Sequence, residues 1–292
     1  MRIAIYGRPI KIKDFKQYFI SFTQKLVDQG IKFEIVSSYQ AFLSREYKLE
    51  YTVCIDDLTP NNYKCLISLG GDGTILDTLS LIKSSELPVM GINLGRLGFL
   101  ANIKMEEIET AVLSIKNGNY SIEKRVLLEV VSDVPTLQSF PFALNDFVVQ
   151  KRDTSAMITV KAYLNGDFLN NYWSDGLIVS TPTGSSGYSL SCGGPLIFPG
   201  SQAFVITPIA AHNLTVRPAV IPDTNCLDIE IKGRGKRVLV SLDARSFKVP
   251  TNSKIRIKKA SFTFNMIRLS GNNYMDTLRN KLLWGTDKRD EI

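Results

Sequence analysis

Two stretches of the chain concentrate residue types that can do chemistry. The first is Lys64–Leu76, KCLISLGGDGTIL. Its apolar run Cys65–Leu69 reads as a buried strand of an α/β sheet. Gly70, Gly71 and Gly73 follow, with Thr74 as the expected N-cap of a helix carrying Ile75, Leu76, Leu79 and Ile82. Glycines at a strand-to-helix turn let backbone amides approach an anion, and the helix N-terminus favours negative charge. Asp72 is the odd member, because a turn built only to cradle phosphate has no use for a carboxylate. It is expected either to accept a proton or help hold a metal beside phosphates, or simply to cap the helix.

The second stretch is Trp173–Pro195, WSDGLIVSTPTGSSGYSLSCGGP. Asp175 stands at the entry of an apolar strand, Leu177–Val179, and a hydroxyl-rich loop stands at its exit. Thr181, Thr183, Ser185, Ser186, Tyr188, Ser189 and Ser191 offer short donors suited to ribose hydroxyls, amides and phosphate oxygens. Pro182 and the glycines argue for a fixed shape rather than a solvated turn. Asn145-Asp146 pairs an amide, able to read donor and acceptor edges, with a carboxylate able to accept from ribose; it also reads as a plain strand start. His212 is the single histidine and reads equally as a structural residue. No G-x-S-x-G elbow and no G-x-x-x-x-G-K-[ST] loop occurs, so in a phosphotransferase the GGDGT turn must hold the donor.

With 292 residues, 44% of them hydrophobic, the chain can bury one large core or two smaller ones. No apolar run reaches the roughly eighteen residues of a membrane span. Cys54, Cys65, Cys192 and Cys226 are scattered, which points away from zinc and disulfides and toward a reducing cytoplasm. The net charge of +7 is interspersed, and its two basic clusters, Lys232–Arg237 and Lys254–Lys259, read as solvated turns or strand faces. That pattern suits small anionic ligands rather than nucleic acid.

Strands and helices alternate through the first hundred or so residues. Arg2–Tyr6 and Ile31–Val36 read as strands, with a helix over Asp14–Gln29 between them. Gln40–Lys48 and Glu106–Lys116 also read as helices and Pro88–Ile92 as a strand, which predicts a three-layer α/β domain with a parallel sheet over residues 1–118. From Tyr120 to Leu269 β-rich runs follow one another, with Asn165-Gly166 as a hairpin signal, so an all-β domain is expected over 119–270. Helical spacing returns at Tyr274, Leu278, Leu282 and Leu283, so a helix within 271–292 is expected to pack back on the first domain.

GGDGT, NLG-x-LGFL, an N-[DE] pair, DGLIVSTPTGS-x-x-YSLS-x-GGP and TPIA-x-H, in this order, resemble the NAD kinase family over nearly the whole chain. GGDGT alone is shared with lipid and sphingoid kinases; the DGLIVSTPTGS block discriminates. The resemblance implies transfer of a phosphoryl group from ATP to the adenosine-ribose 2′-hydroxyl of NAD, with a divalent metal such as Mg²⁺, by a cytoplasmic homo-dimer or homo-tetramer. It matches Asp72 to the proton acceptor, Gly73 to a dinucleotide contact, and Gly70, Gly71, Gly73 and Thr74 to the phosphate turn. Asn145, Asp146, Asp175, Thr183, Ser186, Gly187, Tyr188, Ser191 and Ala210 fall on NAD-contacting positions, and His212 is a further candidate. Three positions depart: Asp77 where arginine is frequent, Gly187 where alanine is usual, and Leu242–Arg245 where an Asp-Gly-Gln pattern is expected. Two other readings stay open, a lipid or small-alcohol kinase sharing GGDGT and a non-catalytic NADP-binding protein.

Overall fold

The computed structural model describes residues 1–10, 12–95, 98–152, 156–271 and 273–283. It divides into two compact units, residues 1–123 with the chain from 264 onward, and residues 124–263. In chain order the first unit holds β1 (Arg2–Gly7), α1 (Phe15–Asp28), β2 (Lys32–Ile35), α2 (Ser37–Tyr47) and β3 (Leu66–Leu69). It continues with α3 (Asp72–Ile82), β4 (Val89–Asn93), β5 (Ile103–Lys104), α4 (Ile108–Asn117) and β6 (Tyr120–Arg125), whose end crosses the boundary. The second unit holds β7 (Leu128–Ser132), α5 (Pro135–Gln138), β8 (Phe142–Ala143), β9 (Asp146–Gln150), β10 (Ile158–Leu164), β11 (Asp167–Ser174) and β12 (Gly176–Ser180). After α6 (Tyr188–Ser191) come β13 (Ala203–Ile209), β14 (Ala219–Pro222), β15 (Leu227–Lys232), β16 (Arg237–Leu242), β17 (Arg245–Pro250) and β18 (Lys254–Lys259). The chain then returns to the first unit as β19 (Phe264–Leu269) and α7 (Tyr274–Leu282).

The first sheet runs β2-β1-β3-β4-β19-β6, with β5 beside β4. The pairs β1–β2, β1–β3, β3–β4, β4–β5 and β4–β19 are parallel. Alternation along the strands splits the unit into layers. Ile67 and Leu69 share one core with Phe15, Phe19 and Leu26 of α1 and Ile115 of α4. Ile75, Leu79 and Ile82 of α3 are buried outside that cluster, as expected when right-handed crossovers run from β1 in opposite directions. The helix expected over Gln40–Lys48 starts at Ser37 and buries Tyr39, Phe42 and Leu43. Gly118, left-handed at φ 73, ends α4.

The second unit is two six-stranded antiparallel sheets, β11-β10-β15-β18-β7-β8 and β14-β13-β12-β9-β16-β17. Val130, Val160 and Ile229 from one sheet meet Phe147, Val179 and Val240 from the other in a single core, a sandwich. Asn165 and Gly166, both left-handed, make the two-residue hairpin between β10 and β11.

Two boundaries differ from the expectation. Tyr120–Arg125 and Phe264–Leu269 read from sequence as part of the β domain, yet both belong to the first sheet. Parallel pairing of β19 with β4 links residues more than 150 positions apart, and nothing local encodes such a partner. In α7, Leu278 is buried and the Tyr274 ring lies 6.4 Å from that of Phe99. Of the tail expected over 271–292, residues 284–292 lie outside the described residues, as does Asn272.

Ile267→Ala removes a side chain 1% exposed in β19 and should cost about 2–5 kcal/mol. Native-state hydrogen exchange should show the loss in amides of β3 and β4, with β10 and β15 protected as before. Loss confined to the sandwich would contradict this assignment of the strand.

Candidate functional site

In the first unit the GGDGT turn links β3 to α3. Gly71, extended, is the N-cap of α3 and Asp72 is its first helical residue, so Thr74 is not the cap expected from sequence. Thr74 is 1% exposed, and its side chain packs where a Cβ on Gly70 would lie. It therefore shapes the turn from inside and does not present its hydroxyl to a phosphate. Gly71, Asp72 and Gly73 are half-buried at the surface of the turn.

The Asp72 side chain does not cap its helix either. Its Oδ1 accepts from Leu100 N at 3.0 Å and Ala101 N at 2.9 Å, and its Oδ2 from Phe99 N at 2.8 Å. A carboxylate offers about four lone-pair sites, so three are used and one remains on Oδ2. Gly98 is required here, because a Cβ at that position would overlap the Asp72 carboxylate. The 98–101 segment and the GGDGT turn are thus one hydrogen-bonded piece. Arg96 and Leu97 of the NLGRLGFL motif lie outside the described residues.

In the second unit the candidate residues fall at the two ends of β12. At its exit, Ser180 pairs with Asp146 across β9, and Thr181 N donates to Asn145 O at 2.9 Å. Asn145 Oδ1 is sealed from solvent and has no hydrogen-bond partner. The hydroxyl loop divides in two. Thr181 donates to Leu144 O at 2.6 Å, Ser185 to Pro182 O at 2.7 Å, and Ser189 shares a 2.8 Å bond with Thr207. Those three are buried and spent internally, contrary to the sequence reading of a whole loop of outward donors. Thr183 is also buried, accepting from Arg125 Nη1 at 3.3 Å. Ser186 is half-buried, while Gly187, Tyr188 and Ser191 are exposed.

At the entry of β12, Asp175 N donates to Ile209 O at 2.9 Å, and its carboxylate lies 2.6 Å from Lys151 Nζ. Ala210, left-handed at φ 46, follows β13 at this same end. His212 N donates to Trp173 O at 2.9 Å, and the two rings lie 4.3 Å apart, tilted by 43°. At about 3.3 Å per residue the five residues of β12 separate the two groups by roughly 15 Å. The Tyr188 phenol is raised first by burial, then by Cys192, Asp175 and Asp146.

Sequence reasoning missed what shapes the exit end. Asp243, in the left-handed turn between β16 and β17, accepts from Leu144 N at 2.9 Å, Asn145 N at 2.7 Å and Asp146 N at 3.3 Å. Its only sequence signal was the broken Asp-Gly-Gln pattern. Arg245 of the same turn donates to Phe140 O at 2.7 Å and to Phe142 O, and its guanidinium covers the Phe140 ring. Burial raises both Asp146 and Asp243, and for Asp243 the three N–H bonds pull the other way. Asp146, with Asp243 adding to the effect of burial, is pushed up to about 7 and carries the pair's proton near neutrality.

A folded carboxyl near 7 against 3.8 unfolded binds its proton more tightly when folded. That contribution to stability is full below about pH 4 and is lost as the pH rises to about 7. Asp146→Asn lacks the loss. Its melting temperature relative to wild type should therefore climb across that window, and a constant difference would refute the assignment.

Comparison with known proteins places this geometry. Residues 17–120 match the family described as ATP-NAD kinase N-terminal domain, and residues 144–269 the ATP-NAD kinase C-terminal domain. The NAD kinase of Cytophaga hutchinsonii is 43% identical over 99% of this chain and all of its own length. That of Flavobacterium johnsoniae is 44% identical with the same coverage. Among solved structures, a yeast NADH kinase complexed with NADH superposes with a TM-score of 0.84 at 22% identity, covering 98% of this chain and 88% of its own. An NAD kinase from Archaeoglobus fulgidus in complex with ATP gives 0.73 at 23% identity, covering 97% and 99%. At those identities the structures speak for the fold, whereas the family matches and the full-length relatives speak for descent. The chain belongs to the ATP-NAD kinase family.

Proposed function

We propose that this chain transfers the γ-phosphoryl group of ATP to the adenosine-ribose 2′-hydroxyl of NAD, giving NADP. The observation that carries the reading is the exit end of β12, where the half-buried Asn145 amide adjoins the half-neutralised Asp146 carboxyl. An amide beside a carboxyl can accept from ribose hydroxyls and read donor and acceptor edges of a base or carboxamide. A second polar group about one strand length away, around Asp175 and Ala210, suits a ligand with two nucleotide halves. An acyl chain would need an apolar cleft, so a lipid kinase does not fit these residues.

In this reading the amides of Gly71 and Gly73 hold donor phosphates, and Asn145, Asp146, Ser186, Tyr188 and Asp175 orient NAD. Thr183, Gly187, Ser191 and His212 line the same two ends. Phosphoryl transfer needs positioning and charge neutralisation more than covalent help. Asp72 would be the carboxylate of the turn to hold a Mg²⁺ bound with ATP, and that ion would supply neutralisation of phosphate charge. Among the described residues no three His, Cys, Asp or Glu converge as a metal cage, and the open lone pair of Asp72 Oδ2 is the side-chain oxygen of the turn that fits such a contact. We assign that lone pair the 2′-hydroxyl proton.

Asp72→Asn should lower kcat on the order of 10²-fold with a much smaller change in KM for NAD and an unaltered Mg²⁺ requirement. Gly98→Ala, which displaces the carboxylate without changing it, should show the same profile. A higher Mg²⁺ concentration for saturation would make Asp72 a metal contact instead, and near-normal turnover in both variants would remove it from the chemistry.

We also infer a homo-dimer or homo-tetramer. The β11 edge of the sandwich exposes Phe168 at 56% and Trp173 at 47%, and such edges are commonly covered by association. Light scattering at micromolar concentration should give a multiple of 32.6 kDa, and a monomer would refute it. The four free cysteines suit a reducing compartment, the cytoplasm.

A further inference from the structure

The frequent arginine of the family is absent at position 77, and Asp77 stands there instead. The structure shows what that aspartate holds. Strand order β2-β1-β3 makes the chain leave β1 on one side and return to β3 on the other. Crevices at the carboxyl ends of two such strands are where open α/β sheets bind ligands. Arg8 leaves the end of β1, and the GGDGT turn leaves the end of β3. Asp77 lies four residues beyond Gly73 on α3 and so on the same helix face.

Asp77 grips the Arg8 guanidinium by two prongs, Arg8 Nε donating to Oδ2 and Arg8 Nη2 to Oδ1 at 2.6 Å. The Tyr6 hydroxyl donates to Asp77 Oδ2 at 3.3 Å and steadies the carboxylate from beneath. The fork leaves Nη1 over, and it lies 2.9 Å from the place a Cβ on Gly73 would take. The guanidinium therefore rests against the turn with three of its five N–H donors uncommitted, on a side chain 39% exposed. A free arginine on a loop would lose rotamer entropy on meeting a ligand; the fork to Asp77 has already fixed it.

We propose that Arg8 is a phosphate contact for the donor nucleotide, with Asp77 as its positioning residue. The positive charge here stands at the end of β1, and the aspartate at 77 anchors it. This rests on the reading that the GGDGT turn holds donor phosphates. Planar, two-pronged recognition of phosphate oxygens is what a fixed guanidinium offers and an ammonium does not.

The test uses purified full chain, steady-state kinetics and direct titration with ATP. Arg8→Ala should raise KM and Kd for ATP about tenfold or more, the factor of one lost charge-assisted hydrogen bond, with KM for NAD unchanged. Arg8→Lys, which keeps charge without the fork, should fall between. Asp77→Asn should weaken ATP binding in the wild-type background and add nothing in Arg8→Ala. Arg8→Ala/Asp77→Arg, which returns the arginine to the helix, should recover part of the loss. Gly71→Asp tests the turn itself, since a side chain there meets nothing within 4 Å and the fold tolerates it. If Gly71→Asp weakens ATP and Arg8→Ala does not, Arg8 and Asp77 form only a structural ion pair and the proposal falls alone. If Gly71→Asp leaves ATP binding unchanged, the turn reading fails and the proposal falls with it.

Discussion

In each unit three consecutive backbone N–H groups close on one carboxylate, and the candidate site hangs from that contact. Asp72 takes the amides of Phe99, Leu100 and Ala101; Asp243 takes those of Leu144, Asn145 and Asp146. Such amide concavities bind anions without needing a cation. Hydrogen bonds to a charged group contribute about 1.5–3 kcal/mol each, roughly twice a neutral one. The two carboxylates thus fix the 98–101 loop and the entry into β9. Truncating either side chain to alanine leaves three N–H donors without their acceptor at once.

Most of the fold was legible because periodicity is local. Phe15, Phe19, Phe22 and Leu26 announced α1 by spacing, and all four are buried. Asn165-Gly166 announced its hairpin by demanding left-handed backbone at both positions. What failed was partnership. Phe264–Leu269 looks like any strand that follows another, and only the completed sheet reveals that it lies beside β4 rather than in the sandwich. A strand's period of two gives its faces and says nothing of its neighbour.

The same division runs through the site. The glycines of GGDGT and the TPTGS loop could be read because their chemistry lies within a dozen residues. Asp243 acts on residues 97 to 99 positions earlier, Gly98 matters through a side chain 26 positions before it, and Arg8 through one 69 positions later. No spacing rule reaches that far. The hydroxyl loop was misread for the opposite reason. Composition counts donors alike, whereas Thr181, Ser185 and Ser189 had already been committed to carbonyls and to Thr207.

The exit and entry ends of β12 carry features that work against folding, and their size can be set against the core. A stranded acceptor such as Asn145 Oδ1 costs about 1–3 kcal/mol. Left-handed backbone at Ala210 costs roughly 1–2 kcal/mol. Burying one valine, leucine or isoleucine contributes about 1.5–3 kcal/mol. Two core residues, Leu177 and Val179 for instance, therefore offset the local cost, and both belong to the strand that separates the two ends. The inward residues of β12 stabilise the sandwich, while beside its exit Asn145 holds an acceptor short of a partner.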